Sequence, residues 1–225
     1  LHNSVGVAQA AALGFKRVVL ARELTLSEMA GICRQAQVEL EVFVHGALCF
    51  CFSGLCLFSS FLGGRAASRG RCTQPCRRLY QYGQESGHVL SPSDLAGLEL
   101  LPQLEALGIK AVKIEGRMKS GEYVERVVKA YRSVLDASPG DRPQAVTQAK
   151  AILAQTYSRR TTAGNFLGAR PQDLLAPQDT GNIGLLLGKL TGVEGSRGTL
   201  RLLEPVATGD RLRLHGTATG ERLAF

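Results

Sequence analysis

Four cysteines stand in the order Cys49-x6-Cys56-x15-Cys72-x3-Cys76. Four thiolates from one local stretch are a donor set for zinc or for an iron–sulfur cluster, both of which select soft sulfur ligands. The pair Cys72-x3-Cys76 has the short spacing of a zinc half-site, but the six residues between Cys49 and Cys56 do not, so spacing leaves the two metals open. Cys51 alternates with Cys49 along the chain and is expected to face away; Cys33 is expected to be a small buried hydrophobe. The same stretch is basic: no acidic residue lies between Glu41 and Glu85, whereas Arg65, Arg69, Arg71, Arg77 and Arg78 all do. These arginines are expected to meet nucleic-acid phosphates or to offset an anionic cluster, against the alternative of a solvated face. Tyr80 and Tyr82 are candidates for base stacking, with ordinary packing as the alternative.

The chain that must position these groups has 225 residues, with 27 Lys and Arg against 19 Asp and Glu and a net charge of +8. At 44% apolar and 20% charged it can bury a core, which excludes a disordered tail or a fibrous repeat. Of its basic residues 20 are Arg, whose planar guanidinium suits phosphate and carboxylate, so the expected partner is an anion and nucleic acid comes first. The chain opens Leu1-His2-Asn3 with no charged leader before an apolar run. No secretory segment is therefore expected, and six cysteines in a chain of this size point to a reducing cytoplasm and a metal or redox site. The apolar run 42–62 is long enough to be weighed as a membrane span, but its Gly, Ser and Cys content favours a buried strand leading into a turn and short helix.

Residues 3–13 read as a helix stopped by Gly14, followed by a strand over 15–20. Thr25-Leu-Ser-Glu28 is a capping box that opens a helix to about Gln37, and Val38–Val44 is the next strand, which makes a parallel strand–helix–strand unit. Ser91-Pro92-Ser93-Asp94 reads as a second helix start, with the helix running to about Leu107, Gly108 ending it, and a strand over 109–114. A helix over about 120–136 follows, and Ser138-Pro139-Gly140-Asp141-Arg142-Pro143 breaks the pattern. Beyond the break come a helix near 144–154 and short strands at 183–190, 198–203 and 211–215.

Several blocks carry a family resemblance. Glu41-Val-Phe-Val-His45-Gly46-Ala-Leu-Cys49, Ser53-Gly54-Leu55-Cys56-Leu57-Phe58-Ser59, Arg69-Gly70-Arg71-Cys72-Thr73-Gln74-Pro75-Cys76-Arg77, Ser91-Pro92-Ser93-Asp94-Leu95 and Lys113-Ile114-Glu115-Gly116-Arg117-Met118-Lys119-Ser120 resemble the signature of the collagenase-like peptidase U family over about residues 1–136. The resemblance implies a TIM-type barrel and an oxygen-independent hydroxylase whose 4Fe–4S cluster sits on Cys49, Cys56, Cys72 and Cys76. It implies RNA or a quinone precursor as substrate and, for RNA, prephenate as the oxygen donor. The tail, Thr161-Thr162-Ala-Gly164-Asn-Phe-Leu-Gly168 through Gly209-Asp210-Arg-Leu-Arg-Leu214, is similar to the branch that makes 5-hydroxycytidine in 23S ribosomal RNA. Ribosomal RNA is therefore expected ahead of transfer RNA, and no membrane.

A complete barrel needs eight βα units in roughly 250 residues, and the pattern supplies three strands of that kind. The expected fold is α/β: the C-terminal half of a TIM-like barrel over 1–137, a helical and irregular connector over 138–180, and the start of a small antiparallel β domain over 181–225. Such a fragment is not expected to be fully active alone. His45, Glu115 and Arg117 are the expected catalytic residues, placed at the C-terminal ends of parallel strands, where barrel enzymes work. A collagenase-like peptidase is the alternative, weakened by the absence of HExxH and GxSxG and by a Cys49–His45 spacing that fits no known dyad. A zinc-stabilised RNA-binding module is the third reading.

Overall fold

The computed structural model describes residues 1–117, 119–156, 158–177, 184–210, 212–215 and 222–224. They fall into two compact units, Leu1–Gly184 and Leu185–Phe225.

The first unit begins as the caps dictate. Asn3 Oδ1 accepts from the Gly6 amide and opens α1 (Ser4–Ala12), and Gly14 at φ +86 ends it. After β1 (Arg17–Val19), the capping box closes in both directions between Thr25 and Glu28 and starts α2 (Leu26–Cys33). That helix is shorter than expected, and β2 runs over Glu39–Ala47. Along β2, residues 39–41 pair in parallel with β1 and residues 41–45 pair in parallel with β6 (Ala111–Ile114) on the other edge. The three parallel strands β1, β2 and β6 are thus spatial neighbours in chain order, as repeated βα units require.

Between β2 and β6 lie α3 (Phe58–Gly63), the hairpin of β3 (Tyr80–Tyr82) and β4 (Glu85–Gly87), β5 (Asp94–Ala96) and α4 (Leu101–Ala106). Here one expectation is corrected. Ser91-Pro92-Ser93-Asp94 does not cap a helix; Asp94 starts β5, which pairs antiparallel with β2 at residues 45–47, and the helix begins only at Leu101. The capping signal loses because the Ser93 and Asp94 amides bond the carbonyls of Leu174 and Arg160 in tertiary structure, and the Asp94 carboxylate is held by buried cations.

The amphipathic α5 (Gly121–Asp136) buries Tyr123, Val127, Ala130, Tyr131 and Val134, at helical spacing, in the core. The core also holds Val42 and Val44 of β2 and Leu104 of α4. Residues 138–180, expected as a connector, pack inside this unit: α6 (Arg142–Ala154) buries Ala149, and β7 (Thr161–Thr162) adds to the sheet beside β5. Phe166 buries against Gly97, where a Cβ would meet its ring at 3.1 Å. The second unit holds two antiparallel hairpins, β8 (Gly188–Glu194) with β9 (Arg197–Leu202) and β10 (Arg213–His215) with β11 (Arg222–Ala224). These match the expected antiparallel character with shifted bounds; residues 183 and 211 of the expected strands lie outside the described residues.

The run 42–62 divides into the end of β2, a loop and the short α3. Among the described residues no helix is long and apolar enough to cross a membrane.

Candidate metal centre

The cysteine segment has little core of its own, so polar clamps close it. Buried Ser59 of α3 accepts a hydrogen bond from the Thr73 amide at 2.9 Å, and the two hydroxyls meet at 3.2 Å. This ties the Cys56 end to the Cys72 end. Gly63 permits the approach, since a Cβ there would stand 3.1 Å from Thr73 Oγ1. The second clamp is Arg77, whose guanidinium donates to the Leu48 carbonyl at 3.0 Å and to the Pro92 carbonyl at 2.5 Å. It ties the Cys76 end to the Cys49 end.

The clamps keep the predicted thiols in one neighbourhood, within electrostatic reach of Cys76. Burial pushes the Cys76 thiol up, adjacent Arg77 opposes that, and the nearby thiols of Cys72, Cys49 and Cys56 push it further. Cys51 does not face away as expected: burial and contact with the Cys56 thiol raise it, because the loop after β2 abandons strand alternation. Cys33 packs against the core as expected. Among the described residues no group of three or more His, Cys, Asp or Glu side chains is placed to hold a metal ion. The donor chemistry nevertheless fits a thiolate-bound group, with four soft sulfurs in one neighbourhood and guanidinium groups beside them to offset the charge.

Arg22, which lies 27 residues from Cys49, was not signalled by the sequence. Its Nη1 donates to Cys49 Sγ at 3.2 Å and its Nη2 to Glu115 Oε2 at 3.2 Å, while the guanidinium stacks 3.8 Å over the Phe43 ring. Asn165 donates to the Arg22 carbonyl at 3.0 Å, which gives the similar-looking tail block a positioning role. Glu115 follows β6 directly, its amide donating to the His45 carbonyl at 2.8 Å. The close packing there requires Gly46, at φ +100, where a Cβ would stand 2.3 Å from the Glu115 carbonyl oxygen. Arg117 is exposed and donates to the Gly70 carbonyl at 2.6 Å, so it braces the cysteine segment rather than pairing its guanidinium with Glu115.

His45 is placed differently from the expectation. A register shift between Phe43 and His45 accompanies the run of β2 on to Ala47, and His45 lies inside the strand as a buried residue, 2% exposed. Its Nδ1 stands 3.3 Å from the Tyr131 hydroxyl, which itself donates to the Val44 carbonyl. Burial lowers its pKa to about 4, with nearby Asp94 opposing, so the ring is neutral.

Of the five predicted RNA-facing arginines, Arg65, Arg69, Arg71 and Arg78 are exposed, and the first three line one concavity with Gly64 and Ala66. Arg77 is corrected: its side chain is 7% exposed and is committed to backbone carbonyls and to Asp94, so it is a strut. Tyr80 stacks on Phe58 and donates to the Pro75 carbonyl, whereas Tyr82 is 90% exposed.

Comparison with known proteins gives the context of these groups. The family model described as Peptidase family U32 matches residues 1–175. The chain is 39% identical over 170 residues to a tRNA hydroxylation protein of Bacillus subtilis, covering 69% of this chain and 40% of the relative. It is 33% identical over 217 residues to a 23S rRNA 5-hydroxycytidine synthase of Escherichia coli, covering 90% of this chain and 33% of the relative. It is also 30% identical over 197 residues to a collagenase of Porphyromonas gingivalis, covering 76% of this chain and 48% of the relative. The chain thus spans less than half the length of these relatives, and no solved structure matches it. With the cysteine blocks, the Glu115 loop and the Thr161–Gly168 part of the tail block all inside the matched residues, the chain belongs to peptidase family U32.

Proposed function

We propose that this chain is the sulfur-ligating part of an enzyme that hydroxylates a pyrimidine in RNA without using oxygen, with Cys49, Cys56, Cys72 and Cys76 holding a 4Fe–4S cluster. The observation that supports the reading is that the thiols of Cys49, Cys56 and Cys72 lie within electrostatic reach of Cys76, on a segment that also carries exposed Arg65, Arg69, Arg71 and Arg78. The names of two relatives supply the reaction class. Ribosomal RNA is favoured over transfer RNA because the ribosomal relative aligns with 90% of the chain and the transfer-RNA relative with 69%. The reading includes the sheet as the end of a TIM-type barrel, and the cytoplasm as the place of work.

When bound, such a cluster supplies electron transfer. The Ser59–Thr73 and Arg77–Leu48 clamps hold the ligand-bearing ends together, and Arg22 keeps positive charge between Cys49 and Glu115. Arg22 also orients the Glu115 carboxylate at the C-terminal end of β6, within reach of a substrate entering over the cysteine segment. The exposed arginines take backbone phosphates, in a salt-dependent way. The peptidase reading raised by the collagenase relative lacks its dyad: His45 faces Tyr131 and Tyr123 in the core, and no hydrogen bond joins it to Cys49 among the described residues.

Anaerobic purification of the full-length protein tests the cluster: a brown protein with about four Fe per chain, bleached by Cys56→Ala, is expected, and a colourless zinc protein removes the cluster. Nucleoside mass spectrometry of RNA from a deletion strain tests the reaction. Unchanged hydroxypyrimidine in both ribosomal and transfer RNA removes it.

A further inference from the structure

Beside the cysteine segment lies a second polar site that the proposed role of the thiols does not use. Its centre is the Asp94 carboxylate, 0% exposed, with Arg77 at 3.7 Å, Lys119 at 3.5 Å and Arg159 at 3.4 Å. The side chains of these three cations are 7%, 14% and 17% exposed. One carboxylate therefore faces three guanidinium or ammonium groups where water screens poorly, and the surplus positive charge is costly unless an anion shares it.

The three cations are not equivalent. Arg77 is consumed by the Leu48 and Pro92 carbonyls. Among the described residues Arg159 spends one guanidinium donor, on Asp94 at 3.4 Å, and Lys119 reaches the same carboxylate at 3.5 Å, both long for charge-assisted hydrogen bonds. A separate observation points to the same place. Tyr123 is 3% exposed, and its hydroxyl has no hydrogen-bond partner among the described residues. The hydroxyl lies within electrostatic reach of Asp94, Glu115 and Arg159, and Lys119 Nζ stands 4.6 Å from its ring centre. Burial raises the Tyr123 pKa, so the group remains a proton donor. A buried O–H without a partner among the described residues, a guanidinium and an ammonium around a single carboxylate are the donor set of an oxyanion site.

We propose that Arg159, Lys119 and Tyr123 bind a small oxyanion, a carboxylate or a phosphate, held apart from the exposed arginine face. Asp94 aims the two cations, and Arg77 fixes Asp94 against the cysteine segment. The depth of the site selects a compact ligand over a polynucleotide backbone, for which the exposed arginines remain.

Thermal melting of the full-length protein at constant ionic strength, titrated with malonate and separately with inorganic phosphate, tests this. At least one probe should raise the Tm saturably. Arg159→Gln should weaken the apparent affinity about tenfold, equivalent to about 1.4 kcal/mol, and Tyr123→Phe should weaken it severalfold. Tyr123→Phe removes a hydroxyl that bonds nothing among the described residues, so its unliganded Tm should equal or exceed that of the native protein and folding does not confuse the result. A response to malonate alone assigns a carboxylate ligand, a response to phosphate alone assigns a phosphate, and a response to both assigns the shared oxyanion chemistry. No saturable shift with either probe, or an unchanged affinity in Tyr123→Phe, overturns the site. Neither RNA nor iron enters the readout, so the outcome is independent of the hydroxylation reading.

Discussion

The sheet side of the first unit and the cysteine segment are held together by different forces. In the sheet side Val42, Val44, Val127 and Tyr131 are almost fully buried, and apolar burial does most of the stabilising. In the cysteine segment Phe52, Leu55, Leu57 and Phe61 are 68%, 71%, 75% and 86% exposed, and the fold depends on Ser59, Thr73 and Arg77 reaching a few partners. A region closed by a few polar contacts can open locally at small cost while the rest stays folded. The rigid sheet can therefore set the position of Arg22 and Glu115, and the softer segment can adapt to what the thiols bind.

Substitutions that separate the two regions are expected to act very differently. The largest effect is expected from Tyr131→Ala, which empties a fully packed site and strands the Val44 carbonyl; global stability should fall by about 3–5 kcal/mol in a denaturant melt. A loss below 1 kcal/mol would break the claim that the sheet side carries the stability. Next, acidification should act through His45. Its folded pKa of about 4 lies below the ordinary histidine value, so its stabilising contribution is complete above about pH 6.5 and is lost as the pH falls toward 4. The slope is at most about 1.4 kcal/mol per pH unit, and His45→Gln should flatten stability against pH in that window. Third, Ser59→Ala removes the acceptor of the Thr73 amide and should cost about 1–3 kcal/mol. The loss should appear as faster amide exchange and proteolysis within 56–76, with the global melt little changed; an equal loss in the global melt would merge the two regions. The smallest effect on stability is expected from Arg65→Ser with Arg69→Ser, within about 0.5 kcal/mol, with weaker RNA binding and a shallower salt dependence in a filter-binding titration.

Much of this was legible in the sequence where the determinant is local. The Thr25–Glu28 box, the Gly14 stop and the helix over about 120–136 are each fixed within a few turns of chain, and each formed as expected. The four cysteines were legible because their side-chain chemistry is rare and their blocks are contiguous. Arg22 and Arg159 were not, since what distinguishes them is a partner far along the chain, and Tyr123 was not, since what distinguishes it is a buried hydroxyl without a hydrogen-bond partner among the described residues. Asp94 shows the conflict most clearly: its neighbours read locally as a helix cap, and tertiary charge pairing overrode that reading. Arg77 misled in the opposite direction. An arginine in an acid-free stretch reads as a phosphate contact until its carbonyl partners are seen.

The position of Arg77 makes the two sites unable to ignore one another. Its guanidinium senses both Asp94 and the thiols of Cys76 and Cys49. Any event that changes the charge on those sulfurs alters how firmly Arg77 holds Asp94, and with it the hold of Lys119 and Arg159 on an anion. Thermodynamic linkage makes the traffic symmetrical: an anion that favours one charge state of the sulfurs is favoured by that state to the same degree. A single side chain thus turns two neighbouring sites into one two-input device.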